Sequence, residues 1–328
     1  MRALNNLSAF VRKEVSDWSV WWRELSNHRK ILPALSVAIY FLILLALGGV
    51  RNDHVGSAGI ILVLSYAGRK ASRVLLFLLP VYLTGVVYDS QRYYSDFIRG
   101  EIKVVWPYEF DKGLFGIDTP SGRLTPNEYL QNHIHPVLDL ITGFFYLFFI
   151  AIYVGICLYQ TFFLHLLQKD SVTRRNTERL VPYVTWTFFW VNVLGYTTYY
   201  WFPAAPPWYV ALHGLGPAKL DVLPNAAGCI RFDQILGTNF FTEMYGRSAD
   251  VFGAIPSLHV AYPFLSFLFA LRFKSLRVFS FLFYLVMCFS AVYLNHHYIV
   301  DILWGTGYAL IIYGLVFLYA ERKNRSSP

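Results

Sequence analysis

Long apolar stretches recur along the whole chain, at 31–49, 72–90, 135–163, 180–202, 276–294 and 297–320. Each meets or approaches the roughly 20 apolar residues that carry a helix across a bilayer. Because hydrocarbon offers the backbone no hydrogen-bond partner, such stretches must close their hydrogen bonds internally, as helices. Two shorter stretches, 57–68 and 257–273, bring the expected count to seven or eight. The expectation is therefore an all-α, polytopic transmembrane helix bundle of about 7–8 spans. Composition agrees: 15% of the 328 residues are charged, against about 25% in soluble domains.

The basic residues orient the bundle. Sorting the connections onto alternating sides puts the N-terminus, 69–73, 168–179, 272–277 and the C-terminal tail on one face, with nineteen of the twenty-eight Lys and Arg residues. The positive-inside rule makes that face cytoplasmic. It also accounts for the net charge of +8 without nucleic acid. Eight spans leave both basic termini inside, whereas seven would expel the N-terminus, so eight is preferred.

The first thirty residues hold Arg2, Arg12, Lys13, Arg23, Arg29 and Lys30 and no apolar run, so no cleavable signal is expected. Residues 8–25 mix Trp18, Trp21 and Trp22 with charges, a pattern that fits either a helix lying in the interface or a solvated tail. The only Asn-X-Ser/Thr sequons, at Asn6 and Asn324, fall on the cytoplasmic face, which points to a bacterial inner membrane. Cys157 and Cys288 lie in apolar spans and Cys229 in a loop, which offers no disulfide framework.

Two outer loops, 91–134 and 203–256, run to about 45 and 55 residues, longer than ordinary connections, and loops of that length usually carry function. Their Trp and Tyr residues also suit an interfacial belt.

Chemistry concentrates in two segments. Gly253-Ala-Ile-Pro-Ser-Leu-His259 opens one span, and Tyr293-Leu-Asn-His-His-Tyr-Ile-Val-Asp301 opens the last. The chain descends from His259 to a cytoplasmic turn at 272–277 and climbs back to 295, so His259 and His297 return to the same outer level. His297 and Asp301 are four apart and share a helix face, where the carboxylate accepts a hydrogen bond from one ring nitrogen and leaves the other free to attack. That is the logic of an activated nucleophile. A phosphoryl group would pass to His297, while His259 protonates the leaving oxygen and then deprotonates the acceptor. Ser257, at a helix start after Pro256, offers a seat for phosphate together with the amides of 257–259.

Each of these residues also has a structural reading. A lone His in a span is often a packing residue, and Asp301 alone suits a structural partner or a proton relay. Three ionisable groups at matching depth favour function. His133 and His135, at i and i+2 without a further ligand, do not make a metal site, and neither metal nor cofactor is assigned.

These segments resemble the second and third signatures of the phosphatidic acid phosphatase type 2 superfamily of membrane lipid phosphatases. Within it, Ala254-Ile-Pro-Ser-Leu-His259 and Tyr293-Leu-Asn-His-His-Tyr-Ile-Val-Asp301 are most similar to the inositol phosphorylceramide synthase branch. Tyr88-Asp-Ser-Gln-Arg92, Asp111-Lys-Gly-Leu-Phe-Gly116, Leu130-Gln131 and Pro203-Ala-Ala-Pro-Pro-Trp208 extend the likeness, which covers roughly 88–305. The resemblance implies a six-helix catalytic core, His297 as nucleophile, His259 as acid/base partner and Asp301 as orienter. His296, five residues before Asp301, points off that face and is left as a possible headgroup contact.

The departures matter as much. The phosphatase pattern has Lys and Arg in its first signature and an Arg directly after Ser in its third; here Ser290 precedes Ala291 and 203–209 holds no cation. A phosphomonoester carries nearly two charges at neutral pH, a diester one, so a site with fewer cations suits a diester. Arg92 and then Arg247 are the candidate phosphate contacts, either of which also suits an interfacial anchor. Asp89 binds a donor hydroxyl or pairs with Arg92.

The resulting expectation is a membrane phosphotransferase that moves a phospho-headgroup, phosphoinositol by the resemblance, from a phospholipid donor to a lipid-alcohol acceptor such as ceramide. The alternative is a phosphatase of the same superfamily releasing inorganic phosphate from a lipid or polyprenyl phosphate. A transporter or scaffold is a third class, but no inverted repeat is visible. The expected organisation is a cytoplasmic or interfacial segment at 1–30, a membrane catalytic domain at 31–320 with its core at about 72–320, and a cytoplasmic tail at 321–328. The active site would face the periplasm.

Overall fold

The computed structural model describes residues 2–164, 171–246 and 251–325. Arg247 therefore lies outside the described residues. The chain divides into two compact units, 1–82 and 83–328.

The first unit holds α1 (Arg2–Glu24), α2 (Asn27–Leu47), α3 (Asn52–Tyr66) and the start of α4 (Arg69–Ile98). Ser26 caps α2 by accepting from the Arg29 amide, which satisfies one of the unpaired N–H groups of its first turn. Gly48, at φ 140°, ends α2. Tyr66 ties the three helices together: its hydroxyl donates to the Lys30 carbonyl at 2.8 Å, and its own carbonyl accepts from Trp18 Nε1 at 2.7 Å. The segment at 8–25 is thus helical up to Glu24, and its Trp18 is docked. Most of α2 is apolar and exposed, with only Leu44 buried, as expected where lipid replaces water as solvent.

In the second unit, α5 (Val105–Phe115) and α6 (Pro126–Gln131) flank a short hairpin, Ile117–Thr119 with Gly122–Leu124. The long helices α7 (Pro136–Leu158) and α8 (Ser171–Trp201) follow, then the short α9 (Pro207–His213), α10 (Ile230–Leu236) and α11 (Phe240–Tyr245). Finally come α12 (Leu258–Arg272), α13 (Arg277–Tyr293) and α14 (Ile299–Arg325). The bundle is helical, as expected, apart from the hairpin and a ladder between the loops at 91–134 and 203–256. In that ladder Lys103 pairs with Ala204, and Ala204 with Gly253. Pro203 and Pro206 hold 203–206 out of helix and leave Ala204 extended for pairing, while Pro207 opens α9 at the first helical position.

Among the described residues, four helices are long and apolar enough to cross a membrane: Asn27–Leu47, Arg69–Tyr93, Pro136–Thr161 and Ile299–Lys323. α12 and α13 are shorter apolar helices. α12 is the centre of the unit. Val260, Ala261, Leu265, Phe269 and Ala270 are all fully buried, while the stripe of Phe264, Phe267 and Leu271 stays partly exposed, so most of the helix surface is enclosed. It packs on α7, α8, α13 and α14.

Candidate active site

α13 ends at Tyr293, and the chain reverses through Asn295, which adopts the left-handed conformation at φ 61°. Asn tolerates that region better than most residues. The reversal stacks two amides on one acceptor: the N–H groups of His296 and His297 both donate to the Ala291 carbonyl, at 3.1 and 3.0 Å. His297 is thereby held just before α14, and Asp301 sits in the first turn of that helix.

His297 Nδ1 lies 3.1 Å from the Ala254 carbonyl and 3.3 Å from Asp301 Oδ2. A carbonyl oxygen only accepts, so Nδ1 carries the proton and Nε2 of the neutral ring presents its lone pair. That nitrogen is 3.2 Å from His259 Nδ1, which is then the donor. The i, i+4 spacing on α14 thus brings Asp301 to His297, and the α12–α13 reversal brings His259 to His297. Ala254 was not foreseen as a partner; its carbonyl is presented by the ladder, where its own amide donates to Ala204. Asp301 Oδ2 also accepts from the Tyr298 amide at 2.9 Å, so the carboxylate is fixed by its own helix start. His297 and Asp301 are buried, and His259 is half-buried at the second residue of α12.

Two glycine and aromatic contacts explain the fit. Gly305 brings α14 against the start of α12 so closely that a Cβ there would meet the Ser257 carbonyl at 2.3 Å. The His259 ring stacks on Tyr146, centroids 4.6 Å apart and planes 15° apart, with Phe149 at 4.8 Å.

The remaining expected site residues divide. The Ser257 amide donates to the Asp301 carbonyl at 2.9 Å, so it is not free for an anion, a correction to the seat built on the amides of 257–259. The reason is the same close crossing of α12 and α14. The Ser257 hydroxyl, by contrast, is fully buried and has no hydrogen-bond partner among the described residues. His296 turns away from His297: its Nε2 contacts the Ala226 carbonyl at 3.1 Å and Cys229 Sγ at 3.3 Å. Its ring lies between Tyr245 and Tyr146 at 4.7 and 5.2 Å. Arg92 pairs with Asp89 at 3.2 Å along α4, which is the structural alternative for Asp89. His133 and His135 serve local structure, through the Tyr129 carbonyl and as the cap accepting from the Val137 amide.

Outside the spans, on α5, Asp111 is fully buried, and its Oδ1 accepts from the Val300 amide at 3.0 Å, one residue from Asp301. Burial pushes its carboxyl up to about 6, with the Asp301 charge adding to the rise and the amides of Val300 and Ile299 opposing it. Nothing in the spacing of Asp111 announces that it caps a helix 189 residues away.

The sequence profile of the PAP2 superfamily matches residues 128–315, the stretch that carries both histidine segments. The chain belongs to this superfamily. Within the PAP2 superfamily it is similar to a phosphoinositol dihydroceramide synthase of Bacteroides thetaiotaomicron, 35% identical over 305 residues, which is 92% of this chain and 95% of that protein. It is also similar to two fungal proteins over a shorter stretch. An inositol phosphorylceramide synthase catalytic subunit of Schizosaccharomyces pombe is 36% identical over 137 residues, 42% of this chain and 32% of its own. An inositol phosphorylceramide synthase of Candida albicans is 38% identical over 143 residues, 42% of this chain and 30% of its own. No solved structure matches the chain.

Proposed function

We propose that this chain is a membrane phosphotransferase that moves phosphoinositol from a phospholipid donor to a ceramide-type lipid alcohol. The near-full-length likeness to a phosphoinositol dihydroceramide synthase supports the donor and acceptor classes. The observation that carries the chemistry is the arrangement of His297, with Nδ1–H held by Ala254 and Asp301 and Nε2 facing His259.

In the first half, His297 Nε2 attacks the phosphodiester phosphorus. A P–N bond forms, the P–O bond to the diacylglycerol oxygen breaks, and His259 delivers a proton to that oxygen. In the second, His259 takes the proton of the acceptor hydroxyl, whose oxygen attacks phosphorus as the P–N bond breaks. The phosphohistidine spares the enzyme from holding both lipids at once. Asp301 stabilises the imidazolium character that grows as the P–N bond forms. The buried Ser257 hydroxyl, without a partner among the described residues, is suited to donate to a phosphoryl oxygen.

The site lies on the periplasmic side in this reading, with both termini cytoplasmic, supported by the distribution of Lys and Arg. In this reading 1–30 is a cytoplasmic or interfacial segment, 31–320 forms the catalytic domain, and 321–328 is a cytoplasmic tail.

Purified protein incubated with radiolabelled phosphatidylinositol and ceramide, beside His297→Ala, tests the proposal. A labelled sphingolipid made by the wild type alone supports transfer; phosphate release from phosphatidic acid with no diester transfer refutes it in favour of a phosphatase.

A further inference from the structure

The turn that presents His297 makes few hydrogen bonds to itself beyond those at Ala291 and Val292. Its carbonyls are instead taken up, in order, by the two long loops. The Tyr293 carbonyl accepts from Gln131 Nε2 at 2.9 Å, that of Leu294 from the Gly228 amide at 3.0 Å, and that of Asn295 from the Trp208 amide at 3.0 Å. Asn127 goes further than these. Its Nδ2 donates both to the Val292 carbonyl and to the carbonyl of His297 itself, each at 3.0 Å.

Asn127 is 1% exposed and stands on α6, which is rigidly mounted for a helix of six residues. Thr125 Oγ1 accepts from the Glu128 amide, while Glu128 Oε2 accepts from the Thr125 amide at 2.7 Å, closing a capping box. Glu128 Oε1 accepts from the Tyr108 hydroxyl on α5 at 3.0 Å. The same α5 supplies Asp111, which holds the Val300 amide on the far side of His297.

We infer that Asn127 is a positioning residue for His297, fixing the peptide of the nucleophile so that Nε2 keeps its aim. The inference rests on the reading of His297 as the attacking group. The amide of His297 is already held by Ala291, and its Nδ1 by Ala254 and Asp301. The carbonyl is the remaining polar atom through which the backbone can swing, and only a side chain with two N–H hydrogens on one nitrogen bridges it to Val292. Rotation of this peptide moves the imidazole as a lever. A misplacement of about 1 Å at a reacting atom can cost on the order of 100-fold in rate.

The test compares Asn127→Ala with Gln131→Ala in the full-length protein. Both remove bonds to the same turn, but only the first reaches the peptide of His297. Asn127→Ala is expected to lower kcat at least about 30-fold with the KM of either lipid held within about threefold, while Gln131→Ala keeps kcat within about threefold. Equal losses in the two variants, or a fall in kcat that tracks a fall in thermal stability, would overturn the inference. If Asn127→Ala does not fold, the isosteric Asn127→Asp takes its place. If the wild type releases phosphate from phosphatidic acid and transfers no headgroup, the proposed function fails, yet the two variants are compared in phosphate release by the same criterion. If neither activity is present, carbethoxylation of His297 relative to His133, read by mass spectrometry, decides. A ratio altered in Asn127→Ala and unaltered in Gln131→Ala supports the inference, and an unaltered ratio in both refutes it.

Discussion

Gly305 faces the Ser257 carbonyl at a separation that leaves no room for a side chain: a Cβ would stand 2.3 Å from the oxygen and 3.1 Å from its carbon. Because these neighbours are backbone, neither can rotate aside. Gly305→Ala must therefore part α12 from α14 and stretch the bond from the Ser257 amide to the Asp301 carbonyl. Overpacking of this kind costs about 1–3 kcal/mol. We expect a lower unfolding temperature in detergent and a loss of transfer larger than the loss of folded protein explains, since His259 and His297 ride on opposite sides of the crossing. A variant within about 0.5 kcal/mol of the wild type, the range of an ordinary surface change, would show that the helices stand further apart.

Asp111 supplies a pH dependence. Its carboxyl ionises near 6 in the folded protein against 3.8 for the ordinary group, chiefly because it is buried. Between those values the folded state binds more protons than the unfolded one, so stability falls as pH rises through the window, and the cost is fully present above about 6. Asp111→Asn keeps an oxygen to accept from the Val300 amide and removes the charge. Its advantage over the wild type in thermal unfolding should therefore grow between pH 4 and pH 7, about the two ends of the titration. Parallel stability profiles would mean that Asp111 is not the titrating group.

Much of the site was legible because helical periodicity converts spacing into direction. The interval of four between His297 and Asp301, and the antiparallel return of α12 and α13, suffice to place the three side chains on one level. The two long loops were not legible in this way. The contacts of Ala254, Asn127 and Asp111 run through backbone carbonyls and amides, and backbone acceptors carry no residue signature. Asn127 meets His297 across 170 residues of chain, and no periodic pattern spans that interval. The expectation for the Ser257 amide erred for the opposite reason. A helix start was treated as open, when Gly305 had already brought a neighbouring backbone to it.

The Ser257 hydroxyl separates a catalytic from a structural role. A buried hydroxyl without a partner costs the fold about 1–3 kcal/mol, so its removal should be neutral or stabilising. Ser257→Ala is expected to unfold no lower than the wild type while losing kcat by about 10²–10³-fold, the order seen when an oxyanion donor is removed. Destabilisation with unchanged kcat would show instead that the hydroxyl serves the fold.

His259 and His297 should fail differently when each is changed to Ala. Without His297 no P–N bond can form, and both the transfer and any labelled protein disappear. Without His259 the nucleophile remains, held through Nδ1 by Ala254 and Asp301, and what is lost is the proton for the leaving diacylglycerol oxygen and later the base for the acceptor. General acid–base catalysis is worth about 10²–10⁴-fold, so His259→Ala should retain a slow residual activity that His297→Ala lacks. A donor with a more acidic leaving alcohol, such as a p-nitrophenyl phosphodiester, needs no proton to depart. With that donor His259→Ala should accumulate phosphohistidine at His297, detectable as an acid-labile, base-stable label, because the second half-reaction still lacks its base. Equal inactivity of both variants towards the activated donor would sink the division of labour and make His259 part of the binding site for phosphate.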